Sequence, residues 1–251
     1  MKSIFANMNE NPSLRGDSSH VSLADEQSVR DVIVRSILSL WDVVNDLTRL
    51  RPSKQERYRV TIFGSARAVP GSVPYEETKR VASALADLGC DIITGGGPGL
   101  MRAANEGAVN APERVHSLGI RVQLPFEQDA NDFLTQTFQH RTFFTRLHQF
   151  VLTSDAYIVA PGGIGTVLET MMIWQLLQVK HLEKVPLILV GREWPGLVEW
   201  ARSTMLSFDP PLATAEDFSI PVCVASTDEA IDLMRSHHAD WQQAQDQKGK
   251  Q

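Results

Sequence analysis

Cysteine is nearly absent from this sequence of 251 residues: Cys90 and Cys223 stand far apart, with no CxxC pair. That excludes a disulfide scaffold and a structural zinc site. The apolar stretches around them, GCDIIT and IPVCVA, predict buried, reduced thiols. Long apolar runs are missing too. None approaches the ~18 residues of a membrane span, and MKSIFANMNENPSLRGD lacks the apolar core of a signal peptide. A cytoplasmic chain without membrane contact is expected. There is no excess of positive charge: 24 Lys and Arg against 30 Asp and Glu leave −6, which argues against a nucleic-acid partner. The seven histidines show no HExxH or other paired spacing, so no metal is expected, and His237 and His238 read as a solvated helix end. No G-x-S-x-G nucleophile elbow occurs.

What is present is a regular alternation. Residues 1–22 are polar and aperiodic, the pattern of a flexible arm. Val29, Ile33, Ile37, Leu40, Val44 and Leu47 then recur at steps of four and three, predicting an amphipathic helical extension over 23–52 that stops at Pro52. From residue 58, short β-branched runs alternate with helical stretches. Strands are predicted at 60–63, 91–94, 118–122, 156–159, 187–190 and 220–224. Helices are predicted near 75–88, 99–110, 142–154, 166–180, 195–206 and 227–237. Continuous apolar strands between helices mean a mainly parallel sheet covered on both faces. The predicted fold is a doubly wound, Rossmann-like α/β domain over 53–240, followed by a polar tail, 241–251.

In such a sheet, ligands bind beyond the carboxyl ends of the strands, and three of those ends are unusual. The first strand ends in Gly64-Ser65-Ala66-Arg67; the second enters Gly95-Gly96-Gly97-Pro98-Gly99; the fourth predicted strand enters Pro161-Gly162-Gly163-Ile164-Gly165-Thr166. Glycine permits close backbone approach, and a following helix offers free N–H groups to an anion. Two such loops in one sheet favour a nucleotide. Neither completes G-x-G-x-x-G, since the last position is Arg102 or Leu168, and no lysine makes either a P-loop. A dehydrogenase and an ATP hydrolase are therefore disfavoured. Near the second loop stands Glu169, which Thr166-Val167-Leu168-Glu169 also allows to be read as half of a capping box. Arg146, in RTFFTRLHQF, is flanked by Phe143, Phe144 and Phe150, which suggests anchoring in apolar surroundings; the bland alternative is a solvated helical arginine.

With these residues assembled, TGGGPGLMRAANEGAV and PGGIGTVLE resemble the paired signatures of the Lonely Guy (LOG) family, many of whose members were once labelled possible lysine decarboxylases. The likeness runs from about residue 58 to 206 and includes FGSAR, LPFEQDAN and FFTRLHQF. It implies a phosphoribohydrolase that cleaves a nucleoside 5′-monophosphate, of the AMP or cytokinin riboside type, into free base and ribose 5-phosphate. It also implies Arg146 and Glu169 as the catalytic pair. The substrate-binding positions would be Gly64, Ser65, Gly95, Gly96, Gly97, Gly99, Met101, Gly162, Gly163, Gly165 and Thr166. No cofactor is required, and a homodimer or larger homo-oligomer is implied. The apolar run Met171, Met172, Ile173, Trp174, Leu176 and Leu177, spread around its helix, points the same way, because one sheet face cannot bury all of it. The chain departs from the family pattern at Leu147, Leu168 and Met172, where polar residues are usual.

A non-catalytic carrier of a nucleotide or of molybdenum cofactor, with the same fold and similar loops, is the rival expectation. A DNA-processing role is weakened by the acidic charge. A pyridoxal-dependent decarboxylase is rejected because the seven lysines (2, 54, 79, 180, 184, 248 and 250) fall away from the strand ends.

Overall fold

A computed structural model describes residues 25–47, 57–111, 115–123, 130–183 and 185–248, in two compact units, Met1–Pro52 and Ser53–Gln251. The expected arm over 1–22 and the stop at Pro52 lie outside the described residues. In the first unit, α1 spans Glu26–Leu47. The Asp25 carboxylate accepts from the Ser28 N–H at 3.1 Å and from its hydroxyl at 2.6 Å, satisfying an amide the first turn leaves free. Along the expected stripe, Ile33 and Ile37 are exposed.

The second unit runs β1 (Arg59–Phe63), α2 (Val73–Asp87), β2 (Asp91–Thr94), α3 (Leu100–Val109), β3 (Ser117–Val122), β4 (Gln136–His140), α4 (Phe143–Thr153), β5 (Ala156–Val159), α5 (Ile164–Gln178), β6 (Leu187–Val190), α6 (Trp194–Leu206), β7 (Pro221–Val224) and α7 (Thr227–Lys248). The seven strands form one parallel sheet in the order β4-β3-β2-β1-β5-β6-β7. Successive strand residues serve opposite faces. Val60, Ile62, Ile92 and Ile158 pack with Leu85, Ala104 and Ile231 of α2, α3 and α7. Phe63, Ile93, Tyr157 and Val159 pack with Phe150, Ile173 and Val198 of α4, α5 and α6. The doubly wound fold read from the apolar runs is therefore present.

Three expectations need correction. The strand β4 has no counterpart among the predicted strands, because Gln-Thr-Phe-Gln-His is a polar run; it forms as the sheet edge, paired in register with β3 from Leu118↔Gln136 to Val122↔His140, where one side needs no apolar cover. The last helix does not end at 237 but continues to Lys248, through the start of the expected polar tail. His238 is consequently no solvated end. It is 6% exposed, set edge-on to Tyr58 and stacked on Trp241 at centroid distances of 5.6 and 5.8 Å, and burial lowers its pKa.

The thiols are both free; Cys90 is buried and Cys223 half-buried. Burial, reinforced by Asp91 and Asp155, pushes Cys90 up to about 12. No helix among the described residues is long and apolar enough to cross a membrane.

Candidate active site

The chain winds outward from β1 through β2 and β3 to β4, then returns across α4 to β5 on the other side of β1. The reversal opens a crevice beyond the carboxyl ends of β1 and β5. Three loops are joined there: the Ser65 N–H donates to Pro161 O at 3.0 Å, and Ser65 O accepts from the Leu100 N–H at 2.8 Å. The contact requires glycine at position 99, where φ is +69° and a Cβ would overlap Ser65 O and the Ala66 backbone.

Behind the first glycine loop lies a buried polar network that sequence reasoning missed. The Thr94 hydroxyl donates to Asn105 Oδ1 at 2.7 Å and accepts from the Gly96 N–H at 2.9 Å. Asn105 Nδ2 donates to the Ser117 hydroxyl at 2.8 Å. Asn131 Nδ2 reaches Gly97 O and Asn105 Oδ1, both at 3.0 Å. Thr94, Asn105 and Ser117 have no exposure at all, so each bond stands in place of lost water. The one available signal was polar residues at positions where the strand and helix pattern demands apolar ones.

Arg146 projects from α4, whose first turn is capped by Thr142 Oγ1 accepting from the Thr145 N–H at 3.2 Å. Its Nε donates to Ile120 O at 2.9 Å and its Nη1 to Glu169 Oε1 at 3.0 Å. The guanidinium lies 5.3 Å from the centroid of the Phe150 ring. The two side chains are only 12% and 10% exposed, so the pair is shielded from solvent screening. Burial raises the Glu169 pKa, and the charge and hydrogen bond of Arg146 oppose that rise. Gly95 leaves room for them, since a Cβ there would overlap Arg146 Nη2 and Met101 Sδ and oblige both side chains to shift.

The capping-box alternative for Glu169 fails. The helix α5 starts at Ile164 with Gly163 as its N-cap and no side-chain cap bond, which places Glu169 in the second turn and Thr166 inside the helix. The solvated reading of Arg146 fails as well. Anchoring by its neighbours holds for Phe150, which is fully buried, but not for Phe143 and Phe144, which are 50% and 67% exposed.

A cavity of about 1530 Å³ brings the expected residues together. Both glycine loops, Ser65, Met101, Thr166, Arg146 and Glu169 line it; Gly96 and Gly99 lie behind. Arg67, from the first strand end, lines it as well, together with Arg121, Gln139 and Glu193, which were not singled out from the sequence; Gln139 went unnoticed because its strand did. Among the described residues no lysine lines the cavity, and no three His, Cys, Asp or Glu side chains group as metal ligands.

A family model described as possible lysine decarboxylase matches residues 101–234, more than half of the chain. The chain belongs to that family, the LOG family. The match contains Arg146, Glu169 and the second glycine loop, and begins just after the first. Among solved structures, this LOG-family chain is similar to the molybdenum cofactor binding protein of the phototrophic bacterium Rippkaea orientalis, with 19% identity over 73% of this chain and 98% of that one and a TM-score of 0.55. It is likewise similar to the Moco carrier protein of Chlamydomonas reinhardtii, with 19% identity over 74% and 99% and a TM-score of 0.53. At that identity the likeness is one of fold. No curated protein matches the sequence. Of the family departures, Met172 packs against the core and Leu168 is 48% exposed.

Proposed function

We propose that the chain hydrolyses the N-glycosidic bond of a nucleoside 5′-monophosphate, giving free base and ribose 5-phosphate. One observation carries the reading: a carboxylate with no capping duty is buried beside an arginine, at the crevice between two glycine loops. Cleaving that bond builds positive charge on the ribose ring, as in glycoside hydrolysis generally. Glu169 stabilises the charge and orients the attacking water. Arg146, fixed by Ile120 O and Glu169, holds the carboxylate and the substrate through charge-assisted hydrogen bonds. The first N–H groups of α5, which no helical carbonyl can satisfy, receive the 5′-phosphate with the Thr166 hydroxyl. A Cβ at Gly163 or Gly165 would meet no protein atom within 4 Å, which leaves that room to the ligand. The scheme needs neither a metal nor an organic cofactor.

The test is release of free base from a panel of nucleoside monophosphates, with AMP preferred over adenosine because the α5 terminus loses its anion in the nucleoside. Equal turnover of AMP and adenosine overturns the phosphate placement. Tight binding without base release would instead favour the carrier reading.

We also propose that the protein is a homodimer. The apolar run expected to force dimerisation is largely covered: Ile173 and Trp174 are buried, and Met171, Met172, Leu176 and Leu177 pack against the core. The dimer reading rests on Ile164 and Leu168 in the first turns of α5, which are 87% and 48% exposed.

A further inference from the structure

We propose that α1 pairs antiparallel with α1 of a second copy of this chain, along a seam of Ile33, Ile37, Leu40, Val44 and Leu47. The inference is independent of the hydrolase reading and of the apolar face on α5. It starts from a helix without cover. Of residues 25–39 none is buried, and Val32, Ile33, Val34, Ile37 and Leu38 are 46%, 53%, 47%, 60% and 59% exposed. A 22-residue helix rich in β-branched residues gains little from propensity; its stability comes from packing its apolar face.

The spacing describes the partner. Positions 33, 37, 40, 44 and 47 step by four, three, four and three, the repeat with which two helices interlock. Val32 and Val34 flank the seam on its two sides, and Asp31, Arg35, Asp42 and Asp46 fall on the opposite side of the helix. The seam also matches itself end for end. Ile37 and Leu40 stand equally far from its middle, as do Ile33 and Val44, so an antiparallel second copy meets each pair twice about one two-fold axis. Charge selects that direction. Arg30 continues the seam three residues before Ile33. In a parallel pair the two Arg30 would meet and the acidic second halves, with Asp42 and Asp46, would lie side by side; antiparallel pairing separates both and sets Arg30 beside Leu47, where its aliphatic stem can pack. A lipid surface fits less well, because α1 carries four acidic side chains against two arginines and anionic headgroups attract basic helices.

The experiment places one nitroxide label on the full-length chain and measures distances between copies by pulsed electron paramagnetic resonance. Cys223→Ser removes the half-buried thiol, and Cys90 is buried, so the label goes to Ser39→Cys, near the middle of the seam, or to Asp31→Cys, toward its start; both lie outside it. Antiparallel pairing gives about 20 Å at position 39, the width of two helices, and about 30 Å at position 31, where the labels are also offset along the axis by about fifteen residues. In light scattering on dilution, Ile37→Asp should raise the dissociation constant of the dimer about tenfold or more, and Arg35→Ala, on the opposite side, should leave it unchanged. Equal distances at the two positions, no distance between copies, or a dissociation constant unmoved by Ile37→Asp would each overturn the inference. So would a monomer that binds phosphatidylglycerol vesicles. Leu168→Asp tells the two faces apart: if it alone weakens the dimer, α5 joins the copies and α1 does not.

Discussion

Replacing Glu169 by Gln separates the charge of this side chain from its shape. The carboxylate lies 3.0 Å from Arg146 Nη1, and the two side chains are 10% and 12% exposed. At about 4 Å from a ribose ring carrying a developing unit charge, a carboxylate contributes about 4 kcal/mol for an effective dielectric of about 20. That is roughly three decades of rate. The fold loses much less. The glutamine carbonyl occupies the place of Oε1, so the guanidinium keeps it as acceptor along with Ile120 O at 2.9 Å. Removing a buried charge also relieves the desolvation that raises the Glu169 pKa. The cap is untouched, because Gly163 and not Thr166 begins α5. Glu169→Ala is the less informative change: it strips Arg146 of its counter-charge, at a cost of about 3–5 kcal/mol. The assay is chromatographic release of base from AMP, beside a thermal melt of the same sample. Glu169→Gln should melt close to the unaltered protein and turn over about 10³-fold more slowly. Arg146→Gln should lose a comparable factor, and the double variant little more than either single one. A folded Glu169→Gln with undiminished turnover, or losses that simply add, would refute the shared transition state.

Because burial raises the Glu169 pKa, turnover should fall with acid through a midpoint above the ordinary glutamate value of about 4.3, a limb absent from the residual activity of Glu169→Gln. The same shift means that the folded chain binds more protons than the unfolded one, so the stability from this group is full below the unfolded pKa and lost as pH rises through the folded one; the melting temperature of Glu169→Gln relative to the unaltered chain should move upward in that direction. Gly95→Ala should displace the Arg146 guanidinium and Met101, lowering kcat with little change in the melting temperature; unchanged kcat would show that the guanidinium position is immaterial. Asn105→Leu leaves Thr94, Ser117 and Asn131 each short of a partner, at about 1–3 kcal/mol per unsatisfied group, and calorimetry should show a melting temperature several degrees lower. Light scattering at micromolar concentration should give a dimer that Leu168→Asp weakens; a monomer in the unaltered chain ends the dimer proposal.

Legibility followed burial. A strand covered on both faces, such as Leu187–Val190, is a continuous apolar run because neither face needs a polar residue, and it could be read directly. The edge strand Gln136–His140 has mostly exposed positions and carries no such signature. The capping-box pattern at Thr166 and Glu169 is genuine as a pattern and wrong as a structure: Gly163 starts the helix three residues earlier, and local spacing alone does not decide between two competing starts. Likewise His237-His238 reads as polar until Tyr58 arrives from a distant part of the chain and the helix continues far enough to stack Trp241 on His238.

The two glycine loops, alike in sequence, are physically different objects, and only their tertiary surroundings tell them apart. The first is held directly by Thr94 and Asn131, which bond Gly96 and Gly97, and Asn105 of α3 and Ser117 of β3 back these two in turn. Its Gly99 is dictated by backbone atoms that leave no space for a Cβ, and a Cβ at Gly95 would push aside the ends of Arg146 and Met101. Gly95 of that loop borders the Arg146 guanidinium and the Met101 sulfur. In the second loop, Gly163 and Gly165 face open space, so nothing in the protein demands glycine there. The proposed ligand would use that open space, coming close to the backbone at a helix terminus with unsatisfied N–H groups. On the proposed reading, the first loop would position the side chains that act on the glycosidic bond, and the second would hold the anion that brings the bond to them. Substitution should separate the two. Alanine at Gly95 disturbs kcat through Arg146, whereas alanine at Gly163, which meets no protein atom, should leave the melt unchanged and raise KM for AMP while sparing adenosine. If Gly163→Ala weakens AMP and adenosine alike, the second loop does not hold the phosphate.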